Sequence, residues 1–96
     1  MIVESCYLNG VRDPNVWIYY RNGVEYSGET NWIFEKHGYG EEFSQTFTYI
    51  GEFKNNKWEG WGYLDLKAHE ITYFGNFSNG RFDGKGILHE KLRFLI

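Results

Sequence analysis

His37, Glu59 and Asp83 occupy one register in three similar stretches, each directly before a glycine, and Asp13 before Pro14 extends the series. A ladder of imidazole and carboxylate groups is the raw material of a metal centre or of general acid–base chemistry. Spacing argues against both. If each stretch is a two-stranded hairpin, equivalent residues lie two strands, or roughly 9–10 Å, apart. Zinc draws its ligands to about 2.0–2.3 Å, so these side chains cannot converge on one ion. Cys6 has no His or Asp held to it by a shared register, which leaves it without an activating base. Its expected role is that of a small buried hydrophobe. Glu41 and Glu42 are neighbours on a strand, point to opposite faces and cannot share a proton. The stretch "GRFDGKGI" lacks the Lys-Ser/Thr and the following helix of a phosphate-binding loop. The residues predict neither an enzyme nor a metal or other cofactor.

The elements that carry these residues repeat. "YIGEFKNNKWEGWGYL" (Tyr49 to Leu64) and "YFGNFSNGRFDGKGIL" (Tyr73 to Leu88) coincide without a gap at the tyrosine, the glycine two later, the phenylalanine two after that and a Gly-x-Gly pair. "YSGETNWIFEKHGYG" (Tyr26 to Gly40) keeps the frame with one inserted residue, and "VESCYLNGVRDPNVWI" (Val3 to Ile18) keeps it faintly. The chain therefore divides into units 3–25, 26–48, 49–72 and 73–96, which together form one domain. "NN" or "NG" supplies the turn, because Asn and Gly accept positive φ, and alternating residues on either side predict that each unit is a β-hairpin. A lone hairpin is marginal in water, so the units must pair edge to edge. The expected fold is all-β, an elongated single-layer antiparallel sheet of stacked hairpins. Glycines at Gly28, Gly38, Gly40, Gly51, Gly60, Gly62, Gly75, Gly84 and Gly86 then form columns, troughs in which neighbouring aromatic rings can lie flat.

This pattern, Y-x-G-x-F, a turn and G-x-G at about 23-residue spacing, resembles the MORN repeat (membrane occupation and recognition nexus) over essentially the whole chain. Thr30 stands where the family prefers an aromatic, and Pro14 and Val16 replace the glycine pair of the first unit. The resemblance implies a β-hairpin solenoid used for protein interaction, with phosphoinositide binding and dimerisation also known among such proteins.

Aromatic residues make up 21% of the 96 residues, and the net charge of −3 disfavours a nucleic-acid partner. A single cysteine excludes an internal disulfide and suits a reducing compartment. The start "MIVESCYLNG" has no basic region followed by an apolar stretch, so a soluble cytoplasmic chain is expected. Trp17, Tyr39, Trp58, Trp61, Tyr63 and Phe82 lie on the turn and second-strand side of the units, a natural site for an apolar peptide or helix. Trp58 and Trp61, beside the best-formed glycine pair, are the first candidates for contact. Arg81, Lys85, Lys91 and Arg93 are candidates for an anionic membrane surface, at the lower end of the cluster size such binding needs. The second unit carries one basic residue against four acidic, the last four against two, giving a dipolar rod. The end, "ILHEKLRFLI", is expected to cap the open sheet edge as a strand or short helix, or to leave that edge to a second copy. Two other readings remain open: a peripheral membrane adaptor, and a free-standing inhibitor that covers the working surface of a target.

Overall fold

The computed structural model describes residues 1–90, and of these the side chains of all but residues 6–8 and 12–14. The expectation for Cys6 and that for a cap built from residues 91–96 fall outside the described groups. Eight strands follow the chain: β1 (Ile2–Leu8), β2 (Val11–Tyr19), β3 (Glu25–Thr30), β4 (Lys36–Phe43), β5 (Phe47–Lys54), β6 (Lys57–Leu66), β7 (Ile71–Ser78) and β8 (Arg81–Glu90). All pair antiparallel in sequence order, so the fold is one open sheet of consecutive hairpins. A short 3-10 turn at Lys67–His69 joins β6 to β7.

Turn chemistry sets the hairpins. Asn9, Asn55, Asn56 and Asn79, with Gly10 and Gly80, take positive φ at the tips of β1–β2, β5–β6 and β7–β8, the conformation that matches strand twist. The inserted residue of the second unit yields a longer tip over residues 31–35. There the Asn31 Oδ1 accepts the Ile33 and Glu35 N–H groups, and its Nδ2 donates to the Glu35 carboxylate at 2.7 Å. Tips also bind units together. The Asn56 N–H donates to the Lys36 carbonyl at 2.9 Å, and the Gly80 N–H to the Trp58 carbonyl at 3.0 Å.

Register explains the glycines. Val16, Gly28, Gly40, Gly51, Gly62, Gly75 and Gly86 are paired successively from β2 to β8, forming one row across the sheet. Beside it, on the same face, run Ile18, Tyr26, Glu42, Tyr49, Leu64, Tyr73 and Leu88. Each tyrosine lays its ring over the second glycine of the Gly-x-Gly pair in its own unit. A Cβ at Gly62 would lie 2.3 Å from the Tyr49 hydroxyl, and one at Gly86 2.2 Å from that of Tyr73. The hydroxyls then donate to the carbonyls of Glu29 (2.5 Å), Glu52 (2.8 Å) and Asn76 (3.1 Å).

Between the tyrosines stand phenylalanines. Phe53 meets Tyr26 and Tyr49 edge-on at 5.0 Å, and Phe77 meets Tyr49 and Tyr73 edge-on at 5.2 Å. Tyr26, Phe53, Tyr49, Phe77 and Tyr73 thus form one alternating T-shaped ladder, the geometry the ring quadrupole favours. A single layer of sheet in this way buries Tyr26 and Tyr49 completely. Burial first, and the nearby Glu29 and Glu52 carboxylates second, push both phenols well above their ordinary value.

A pH dependence follows. The hydroxyls stay protonated in the folded chain, whereas in the unfolded chain they ionise near pH 10. Their contribution to stability is therefore complete below about pH 10 and is lost as pH rises through the higher folded values. Thermal unfolding followed by near-ultraviolet circular dichroism should show Tm falling steeply above about pH 10. A level Tm from pH 8 to 11.5 would contradict the burial of these rings.

Candidate functional site: the outer face

The face carrying the glycine row is the inner face, and its rings are spent on each other. Among the described residues nothing covers the opposite face. From β2 to β8, Trp17, Ser27, Glu41, Ile50, Tyr63, Phe74 and Ile87 are paired in succession. Exposure of the large apolar members of this row runs from 37% at Tyr63 to 71% at Ile87. Tyr39 and Trp61, paired with Glu52 and Asn76, lie in an adjoining row and are also exposed.

The six aromatics expected to bind a partner do not form one surface. Trp17, Tyr39, Trp61 and Tyr63 share the outer face. Trp58 and Phe82 lie on the inner one, paired with Phe53 and Phe77. Trp58 stacks on Tyr49 at 4.6 Å with the planes 5° apart, and its Nε1 donates to Glu42 at 2.8 Å. Phe82 stacks on Tyr73 at 4.1 Å. These two rings extend the inner ladder, Trp58 half-buried against the core and Phe82 at its exposed end. Alternation counted from the glycine row sorts all six. Tyr39, Trp61 and Tyr63 are one residue from a row glycine, and Trp17 one from Val16, so they face outward. Trp58 and Phe82 are four from Gly62 and Gly86, so they face inward. The same count identifies Ile50, Phe74 and Ile87, outer-row members that the search for aromatics beside Gly-x-Gly pairs passes over. It also passes over Trp32, 93% exposed at the long tip beside Ile33.

The first glycines of the pairs serve a different purpose. Between Gly28 and Thr30 on β3, and between Gly51 and Phe53 on β5, one residue faces three on the next strand. Gly38 and Gly60 take up these bulges with φ of +93° and +82°. The Glu52 Oε2 accepts the Trp61 N–H at 2.6 Å, and the Glu29 Oε2 accepts that of Tyr39 at 3.4 Å. Each carboxylate therefore fixes the backbone that presents an outer aromatic. Glu59, from the His37/Glu59/Asp83 register, accepts the Asn79 N–H at 2.9 Å and so secures the next turn. Among the described residues no group of three or more His, Cys, Asp or Glu is placed to hold a metal ion.

On the inner face the second unit departs from its successors. Thr30, Lys36 and Glu42 stand where the third unit has Phe53, Trp58 and Leu64. Lys36 and Glu42 form a buried ion pair, and the Lys36 ammonium lies 4.8 Å from the Tyr20 ring centroid. Of the expected lipid contacts, Arg81 pairs with Ser78 beside the last turn and Lys85 follows the bulge glycine Gly84. Lys91 and Arg93 fall outside the described residues.

A single open antiparallel sheet of consecutive hairpins, with an aromatic ladder on one face and exposed apolar side chains on the other, is the class of protein this geometry defines. Neither a protein-family model nor a curated protein matches the chain. Among the described residues no helix is long and apolar enough to cross a membrane.

Proposed function

We propose that the chain is a non-enzymatic interaction module of the MORN-repeat kind, which holds a segment of another protein on its outer face. The observation that carries this reading is the exposed row on β2–β8: Ile50, Tyr63, Phe74 and Ile87 are contiguous over β5–β8, Trp17 stands in the same register beyond Ser27 and Glu41, and Tyr39 and Trp61 flank it. Contiguous apolar surface of this kind marks an interaction site more often than it marks nothing. The row crosses six strand spacings, or about 29 Å, the reach of roughly nine extended residues. An adaptor and an inhibitor that covers a target's working surface would use the row in the same way.

Peptides selected from a random library on the wild-type protein give the test. They should lose at least about tenfold in affinity for a Trp61→Ala, Phe74→Ala double variant, which removes two central outer-face anchors. Because neither ring belongs to the inner ladder, the Tm of that variant should stay near the wild-type value. Undiminished binding of the selected peptides would overturn the assignment of this face.

A further inference from the structure

We infer that the outer face takes a basic segment, and that its β2–β5 end holds a cationic side chain, a lysine ammonium or its methylated form, in an aromatic cleft. The inference rests on the outer-face reading and specifies the partner's chemistry. An open cleft of about 490 Å³ lies there, lined by Trp17, Tyr39, Phe43 and Ile50 with the Glu41 carboxylate among them. Its position follows from the small Ser27 side chain, which interrupts the bulky outer row between Trp17 and Glu41.

The walls suit a cation. Trp17 and Phe43 meet at 6.0 Å with ring planes 84° apart, so the edge of one ring meets the face of the other and the edge-on ring keeps both its faces clear of its partner. The Trp17 indole is fixed by its Nε1–H, which donates to Glu25 at 3.0 Å, and by stacking near Tyr19 at 6.1 Å. Tyr39 is held by a backbone anchored to Glu29. Aromatic faces around an ammonium group attract it through the ring quadrupole, and a carboxylate in the same cleft adds a full charge. The surroundings point the same way. By alternation Glu25, Glu29, Glu41, Glu52 and Asp65 lie on the outer side of β3–β6, against the two lysines Lys54 and Lys57 at the far tip of β5–β6. A basic segment is thus steered to this end, and an acidic one is turned away.

The test uses two peptides, acetyl-AKFKA-amide and a twin with norleucine at both lysine positions, with tetramethylammonium chloride as a third probe. Binding is followed by 1H–15N NMR, in which the Trp17 indole resonance reports directly on the cleft. The lysine peptide should shift that resonance and bind at least about fivefold more tightly than its twin, the range expected of a cation–π contact with a nearby carboxylate. Glu41→Gln should remove most of that advantage, and tetramethylammonium should move the same resonance. Equal binding of the twins, unaltered by Glu41→Gln, would overturn the cation site and leave the outer-face reading standing. If neither peptide moves any outer-face resonance, both the site and that reading fall.

Discussion

A Gly62→Ala variant is expected to lose about 3 kcal/mol of stability or more, a large part of what holds a domain of this size folded. A Cβ there would lie 2.3 Å from the Tyr49 hydroxyl oxygen and 2.5 Å from two of its ring carbons. Tyr49 cannot move aside. It is fully buried, sandwiched by Trp58 and met edge-on by Phe53 and Phe77. Its neighbour in the row is no freer, because a Cβ at Gly51 would lie 2.5 Å from the Gly62 Cα. Gly84 is the internal control: nothing lies within 4 Å of its Cβ position, and only its φ of +73° resists a side chain. Gly84→Ala should therefore cost about 1–2 kcal/mol. Urea unfolding of the two variants checks the contrast. Equal losses would mean that the glycine row is a conformational requirement, not a bed for tyrosine rings.

The second large effect concerns the inner ion pair. Glu42→Ala should cost about 3–5 kcal/mol, because it leaves the Lys36 ammonium buried without its partner. It also deprives the Trp58 indole N–H of its acceptor. The double variant Lys36→Phe, Glu42→Leu places in the second unit the residues that the last unit carries at those positions, Phe82 and Leu88. Buried ion pairs are often replaced by well-packed apolar residues at little cost. The double variant should accordingly recover most of the loss and come within about 1 kcal/mol of wild type. Chemical denaturation of the three proteins gives the result. A double variant as unstable as Glu42→Ala would show that the pair is required by its surroundings and is not a substitute for an aromatic–aliphatic contact.

Most of the architecture was legible because the signals were local and repeated. Asn-Gly and Asn-Asn fix the tips, and Tyr-x-Gly together with Gly-x-Gly fixes the strands, so eight antiparallel strands in sequence order follow from the frame alone. The use of glycines as beds for rings was legible too, since a missing side chain beside large aromatics has few other physical uses. The division of faces was within reach, but only by counting from the glycine row; proximity to a Gly-x-Gly pair put Trp58 with Trp61. What the sequence concealed depends on registers between strands. Lys36 and Glu42 are six residues apart, and only the bulge at Gly38 brings their side chains together. Thr30 signals that the second unit lacks an aromatic, but not that an ion pair takes the place of the next two inner groups. The cleft around Glu41 draws on Trp17, Tyr39, Phe43 and Ile50 from three strands, a neighbourhood no single stretch of chain displays.

The division between a structural inner face and a spare outer one is tested most directly by the unfolding free energies of two single variants, Trp58→Ala and Trp61→Ala. The two tryptophans are three residues apart on β6 and differ only in the face they occupy. Trp58→Ala should lose about 2–4 kcal/mol, through the stack on Tyr49 and the hydrogen bond to Glu42. Trp61→Ala should change stability by less than about 1 kcal/mol, since its ring is half exposed and among the described residues its aromatic neighbour is the half-exposed Phe74. A loss at Trp61 equal to or larger than that at Trp58 would contradict the division and remove the ground for treating the outer row as a docking surface.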